Sequence, residues 1–388
     1  LVSALEYRAV KVSGAPLTKR LKAARLLQLR YKRKAIVLGI LILLVFIIQF
    51  VFPRHLALAS FYNSYIFRPF QSLRNIVFGI IPFSVGDVLY LIGFFALLTV
   101  IIRWLYLLVR IRRYHHELAH SLMNSIISFG LVYLLFFIGW GGNYYRSTLS
   151  KFWKLPASEQ PAEDAIRAYD SFLIQRLNAL APHYRGQSFE ETNQQARMYY
   201  RTLTDSRTKL RSMKAKASLY GYFMQYFGIQ GYYNPFTGEA QVNSMLPRFM
   251  LPFVVCHEMA HQSGIAAEDD ANLLSYAVCT AAPDTAFVYS GYFNLWLYAQ
   301  SRLKAIDTMQ AKQFMARLNP VSKAQLDTLR ALRRKYRSSL SDYSGQLYDS
   351  YLRLNRQKDG INSYDNVALS AWLWEQNKNL RGAVIKIP

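Results

Sequence analysis

Ala35–Phe52 reads AIVLGILILLVFIIQFVF, eighteen residues with one polar member, Gln49, and with Pro53 directly behind. Roughly 20 apolar residues carry a helix across the hydrocarbon core of a bilayer, so an uncharged run of this length reads as a membrane span over about 35–52. The same reading applies to about 85–109, where Asp87 stands near the start and Arg103 can snorkel near the end. A third run covers about 121–140. Residues 35–142 are therefore expected to form a three-helix membrane anchor, with the stretch 54–84 as the loop between its first two spans.

Charge in the flanks orients these spans. Residues 1–34 hold ten Lys or Arg and one acid, Glu6, and Arg110, Arg112 and Arg113 separate the second span from the third. Basic residues in short flanks mark the cytoplasmic side. This predicts a basic cytoplasmic tail over 1–34 and an extracytoplasmic domain over 143–388.

The chain has 388 residues, 52% of them hydrophobic, and a formal net charge of +24. Its aromatic and aliphatic content excludes a disordered chain, and two cysteines exclude a disulfide scaffold. Residues 144–388 hold 30 basic and 20 acidic groups with no dense basic stripe, so the charge reads as a solvated surface and no nucleic-acid partner is expected.

The 143–388 region is long enough for its own core, and its pattern is mainly helical. Stretches of helical length run over 160–181, 188–216, 249–263, 268–281, 284–304, 320–338 and 345–356, and Pro161 with Glu163 and Asp164 suits a first turn. The best strand candidate is 239–243, which alternates after the turn signal Asn234-Pro235-Phe236-Thr237-Gly238. A strand there offers an edge on which an extended peptide would pair.

The chemistry concentrates in Cys256-His257-Glu258-Met259-Ala260-His261-Gln262-Ser263-Gly264, followed by Glu268-Asp269-Asp270-Ala271-Asn272. On a helix, His257 and His261 project from one face, so two imidazoles can converge on one zinc ion. Glu258 is rotated by about 100° and can reach a water beside the metal, the general-base position of a zinc hydrolase. A catalytic zinc site needs a third protein ligand and one open position. Gly264 can end the helix in a left-handed conformation, and Glu268 is the first carboxylate after the turn, with Asp269 and Asp270 as alternatives. Asn272, one turn beyond Glu268, can hydrogen-bond a ligand histidine and fix its tautomer. Cys256 and Cys279 lie close in sequence to this segment, and a disulfide between them is open.

A second His-Glu-x-x-His occurs at His116–His120, between the second and third spans. It lacks the glycine, and no acidic residue follows it before Glu159. It reads as an amphipathic turn at the membrane interface.

His257-Glu258-x-x-His261 with Glu268-x-x-Ala271-Asn272 resembles the gluzincin arrangement, which implies zinc held by His257, His261 and Glu268 and water activated by Glu258. More closely, the chain resembles a bacterial membrane family catalogued as domain of unknown function 3810. The shared features are Pro82-Phe83-Ser84-Val85-Gly86-Asp87, Trp140-Gly141-Gly142-Asn143-Tyr144, Tyr232–Ala240, the Cys-His-Glu-Met-Ala-His-Gln segment from Cys256, Tyr348-Asp349-Ser350-Tyr351-Leu352, and Ser363-Tyr364. That resemblance implies a zincin-like α+β extracytoplasmic domain on a bacterial inner-membrane anchor, and it brings no substrate.

The expected activity is hydrolysis of envelope peptides or proteins outside the cytoplasm by metal-activated water. A tetrahedral oxyanion needs a donor besides the metal. No histidine follows His261, so Tyr351 and Tyr364 are the candidates for that role. The alternative is a non-catalytic, zinc-stabilised membrane sensor or scaffold. Neither reading fixes an oligomeric state.

Overall fold

The computed structural model describes residues 17–156, 162–203, 213–354, 364–381 and 385–387. Arg8 and Lys11 of the basic tail, Pro161 and Ser363 lie outside the described residues. The helices are α1 (Leu17–Phe46), α2 (Leu56–Phe61), α3 (Arg68–Gly79), α4 (Val85–Val109), α5 (Ile111–Gly139), α6 (Ala162–Leu180), α7 (Phe189–Leu203), α8 (Gly221–Phe227), α9 (Leu251–Gln262), α10 (Glu268–Ala281), α11 (Thr285–Ile306), α12 (Thr308–Ala316), α13 (Pro320–Lys335), α14 (Ser339–Leu354) and α15 (Tyr364–Gln376). Short π and 3-10 turns continue α1 to Arg54 and join α2 to α3. A three-stranded sheet joins β1 (Ala215–Ala217), β2 (Gly231–Tyr233) and β3 (Ala240–Val242). The protein is mainly helical with a small β element.

Three helical stretches, Gln28–Arg54, Val85–Val109 and Ile111–Gly139, are long and apolar enough to cross a membrane. Their apolar side chains are left almost entirely uncovered by protein. These features fit a membrane anchor.

The described residues divide into two compact units, the first made of the chain up to Leu58 and of Val88–Ile138. Within it the Lys34 ammonium donates to His120 Nδ1 at 2.8 Å and to Asn124 Oδ1 at 2.6 Å. A cation on that ring opposes a second one, and among the described residues no third ligand joins His116 and His120.

The second unit holds Ala59–Asp87 together with Gly139–Pro388. The stretch expected as a loop between the first two spans is thus largely helical, and α3 packs by its polar residues, with Gln71, Arg74 and Asn75 all buried. An amphipathic helix whose polar side faces protein carries no long apolar run, so it escapes a search for spans.

The core of this unit lies among α6, α9, α10, α11 and α15, where Trp296, Tyr169, Tyr276, Phe287 and Phe293 are all fully buried. Local chemistry starts these helices where they begin. Asp284 accepts from Ala286 N, Asp307 from Met309 N and Gln310 N, and Asn319 from Ser322 N ahead of Pro320. Glu268, Asp269 and Asp270 fill the first turn of α10, where negative charge suits the exposed N–H groups.

The sheet order is β1-β3-β2, with β1 parallel and β2 antiparallel to β3. The expected helix over 188–216 therefore ends early, because Ala215–Ala217 pairs with Ala240–Val242 as a strand. The expected strand at 239–243 forms as β3, but it lies in the centre of the sheet, paired on both sides, and cannot offer an edge. One edge strand is β1 and the other is β2. The turn after β2 is built by Asn234, whose side chain accepts from Phe236 N and Thr237 N.

Candidate metal centre

Helix α9 supplies the first three functional side chains. Eleven of its twelve residues are buried, so its imidazoles project inside the unit, and the Tyr200 hydroxyl donates to Cys256 O at 2.6 Å. His257 Nε2 and His261 Nε2 come to 3.1 Å, as a four-residue helical separation allows.

Gly264 then reverses the chain. Its φ of +94° lies in the left-handed half of backbone space that side chains avoid, so the glycine lets α10 fold back at once. Arg146 Nη1 donates to Gly264 O at 2.8 Å and holds the turn. Glu268, at the start of α10, then places Oε2 3.2 Å from His257 Nε2 and Oε1 3.3 Å from His261 Nε2. Asp270 is buried without joining this group, and among the described residues His257, His261 and Glu268 are the only such cluster that could hold a metal ion.

Second contacts set the rings. His261 Nδ1 lies 2.7 Å from the Ile265 carbonyl, which keeps that nitrogen protonated and leaves Nε2 free for a metal. The expected partner for this task was Asn272; its Oδ1 instead accepts from the Tyr298 hydroxyl at 3.5 Å, because one turn along α10 it faces α11. Trp140 meets His261 edge-on, with ring centroids 5.9 Å apart, and closes one side.

Glu258 is buried beside this cluster, and its Oε2 has no hydrogen-bond partner. Burial pushes its carboxyl up to about 7, against the opposing pull of His257 and His261. Burial also works against charge on Glu268, but His261 and His257 outweigh it and hold that carboxyl well below its ordinary range. Burial depresses His261, and the Glu268 carboxylate reverses this and lifts the ring to about 9. One carboxylate is thus held charged to face a cation, while its neighbour is poised to carry a proton near neutral pH.

A cavity of about 720 Å³ opens over these groups, bounded by β2, by Tyr298 of α11 and by Leu347 of α14. The strand pairs at Gln230–Asn243 and Asn234–Glu239 are hydrogen-bonded, so alternation turns the N–H and C=O of Gly231 and Tyr233 away from β3, along the free edge of the sheet. Tyr298 is the residue that the sequence does not single out. Nothing distinguishes it among 28 tyrosines until α11 brings it against α10. Burial and the nearby Glu268 push its phenol above the ordinary range. The expected donors Tyr351 and Tyr364 fall on α14 and α15, but their side chains lie outside the described residues. Cys256 and Cys279 are buried and unbridged.

No curated protein and no solved structure matches the chain. A family model described as "Protein of unknown function (DUF3810)" matches residues 62–369, which takes in β2, α9, α10 and every residue of the cluster. The chain belongs to the DUF3810 family.

Proposed function

We propose that this protein is a membrane-anchored zinc peptidase whose site acts outside the cytoplasm. The observation that carries the reading is the cluster of His257, His261 and Glu268, in which the two Nε2 atoms lie 3.1 Å apart and each has a different Glu268 oxygen at 3.2–3.3 Å, with the buried Glu258 carboxylate alongside. The edge of a zinc tetrahedron with ordinary bond lengths is about 3.3 Å, close to the separation of the two Nε2 atoms, and the Glu268 carboxylate faces both of them. Two imidazoles and a carboxylate also leave the fourth position that a catalytic site requires.

A zinc ion bound there would supply Lewis-acid polarisation of a carbonyl and a water acidic enough to ionise near neutral pH. Glu258, buried beside the cluster, takes the proton from the attacking water and passes it to the leaving amine. The Tyr298 hydroxyl, at the cavity wall, donates to the oxyanion that develops on the scissile carbonyl. The free edge at Gly231 and Tyr233 pairs with an extended peptide and sets its register, which is the role first expected of the 239–243 strand.

Orientation rests on the ten basic residues ahead of the first span and on Arg110, Arg112 and Arg113 after the second. Membership of the second unit supports the same topology. It holds the chain after the first span, the first three residues of α4 and the last residue of α5, all of which this topology puts on one side.

The test is metal analysis of the purified full-length protein, followed by a peptide-library screen. About one zinc per chain, lost in His261→Ala, with cleavage abolished in Glu258→Gln, supports the proposal. Metal-free protein that is fully folded would defeat it. Zinc without any cleavage, together with full biological function in Glu258→Gln, would favour a zinc-stabilised sensor or scaffold.

A further inference from the structure

Helix α3 is amphipathic in the opposite sense to a soluble surface helix. Gln71, Arg74 and Asn75 are 0–4% exposed, whereas Leu73, Ile76, Val77 and Ile80 are 44–81% exposed, and Phe70 and Phe83 extend the same apolar surface. The buried side is densely hydrogen-bonded. Arg74 Nη1 donates to Pro235 O at 2.6 Å, and its Nη2 donates to Gly139 O at 2.9 Å and to Gln71 Oε1. Gln71 Nε2 donates to Gly238 O at 2.7 Å and to Asn75 Oδ1. The C-terminal carbonyls of the helix are capped by two ammonium groups, Lys216 on Phe78 O at 2.8 Å and Lys214 on Gly79 O. These contacts fix the rotation of the helix, so its apolar residues cannot turn inward.

An exposed apolar face of this extent marks an interaction surface. Its place in the chain says which one. The preceding membrane-spanning stretch ends at Arg54 and the next begins at Val85, only five residues after Ile80. Five residues reach no more than about 18 Å even when extended. α3 continues α2 and the π turn Tyr62–Phe67 without a break, but this stretch carries Asn63, Arg68, Gln71, Arg74 and Asn75 and is not among the described helices apolar enough to span, so α3 has the character of a helix that lies in the interface.

We propose that α3 is an in-plane membrane helix whose Phe70, Leu73, Ile76, Val77 and Ile80 side chains sit among lipid acyl chains, while its polar side carries the second unit. The metal-bearing helix rests directly on it. Gln262, next to His261, donates through Nε2 to Asn75 Oδ1 at 3.1 Å and shares Gly238 O with Gln71. One helix therefore separates α9 from the bilayer surface. This holds whatever reaction the site performs.

The test is collision accessibility of a nitroxide on full-length Leu73→Cys and Val77→Cys in phosphatidylglycerol–phosphatidylethanolamine vesicles, with Asp327→Cys as a water-exposed reference. The native Cys256 and Cys279 are fully buried and do not compete for label. Oxygen collisions severalfold above those of a nickel chelate at both 73 and 77, with the reverse at 327, is the expected result. Nickel access at 73 and 77 equal to that at 327 would show a face in water and overturn the proposal. Shielding from both reagents would assign the face to a protein, a second copy included, and would overturn it equally.

Discussion

A Cβ placed on Gly231 would come within 2.5 Å of Glu258 Oε1 and 2.7 Å of its Cγ. The edge strand and the buried carboxylate touch at the one residue type without a side chain. Gly231→Ala is therefore expected to displace Glu258, because the Gln241 carbonyl at 2.8 Å blocks retreat of the new methyl. Peptide hydrolysis should fall about a hundredfold, in line with a mispositioned general base. Zinc content measured on the same sample should stay at the wild-type level, since none of the three ligand residues is moved.

Glu258→Gln should abolish hydrolysis, with zinc retained, by a factor of about 10² or more. It also carries a pH signature in the metal-free protein. The folded carboxyl is raised from 4.5 to about 7, so its contribution to stability is fully present below pH 4.5 and is lost as pH rises through 7. The difference between wild type and variant should thus change by at most about 3 kcal/mol between pH 4.5 and 8, to the variant's advantage at the alkaline end. Urea unfolding of the chelated proteins at several pH values measures it. A flat difference would mean that Glu258 is not strained by burial.

Tyr298→Phe should reduce kcat by about a hundredfold with little change in KM or in metal content, as loss of an oxyanion donor does. The packing of the ring is kept, so melting should stay near wild type. An unchanged kcat would remove Tyr298 from the mechanism.

Lys216→Met leaves Glu239 buried without its ammonium partner. Glu239 still accepts from Val85 N and Gly86 N at the start of α4, but Lys216 also supplies donors to Phe78 O and Phe83 O. Breaking one side of such a pair costs about 3–5 kcal/mol. The expected result is a clear fall in the denaturation midpoint of the full-length protein, with Glu239→Gln milder because its one amide oxygen can still accept from a backbone N–H and Lys216 keeps the Phe78 and Phe83 carbonyls.

Much of the frame was legible along the chain. The three helices fit to cross a membrane are contiguous apolar runs, and the spacing of His257 and His261 is a property of any helix, so neither needs tertiary information. Gly264 was readable for the same reason, since its left-handed backbone is a demand of the local turn. The turn at 234–238 announced β3, but not that β3 would be central, because strand order depends on partners distant in sequence. The choice among Glu268, Asp269 and Asp270 was likewise open. Three adjacent carboxylates suit a helix start equally well, and only the angle between α9 and α10 aims one of them at the imidazoles.

By itself, then, the sequence determined the three apolar runs long enough to cross a membrane, the helical character of the second unit and the pair of imidazoles with Glu258 between them. Tertiary structure alone decided that Glu268 completes the cluster, that Tyr298 borders it, that Gly231 meets Glu258, and that α3 turns its polar side inward. Periodicity reports which residues share a face of an element. What covers that face, whether protein, metal or lipid, is set by the free energy of packing groups that are far apart in the chain.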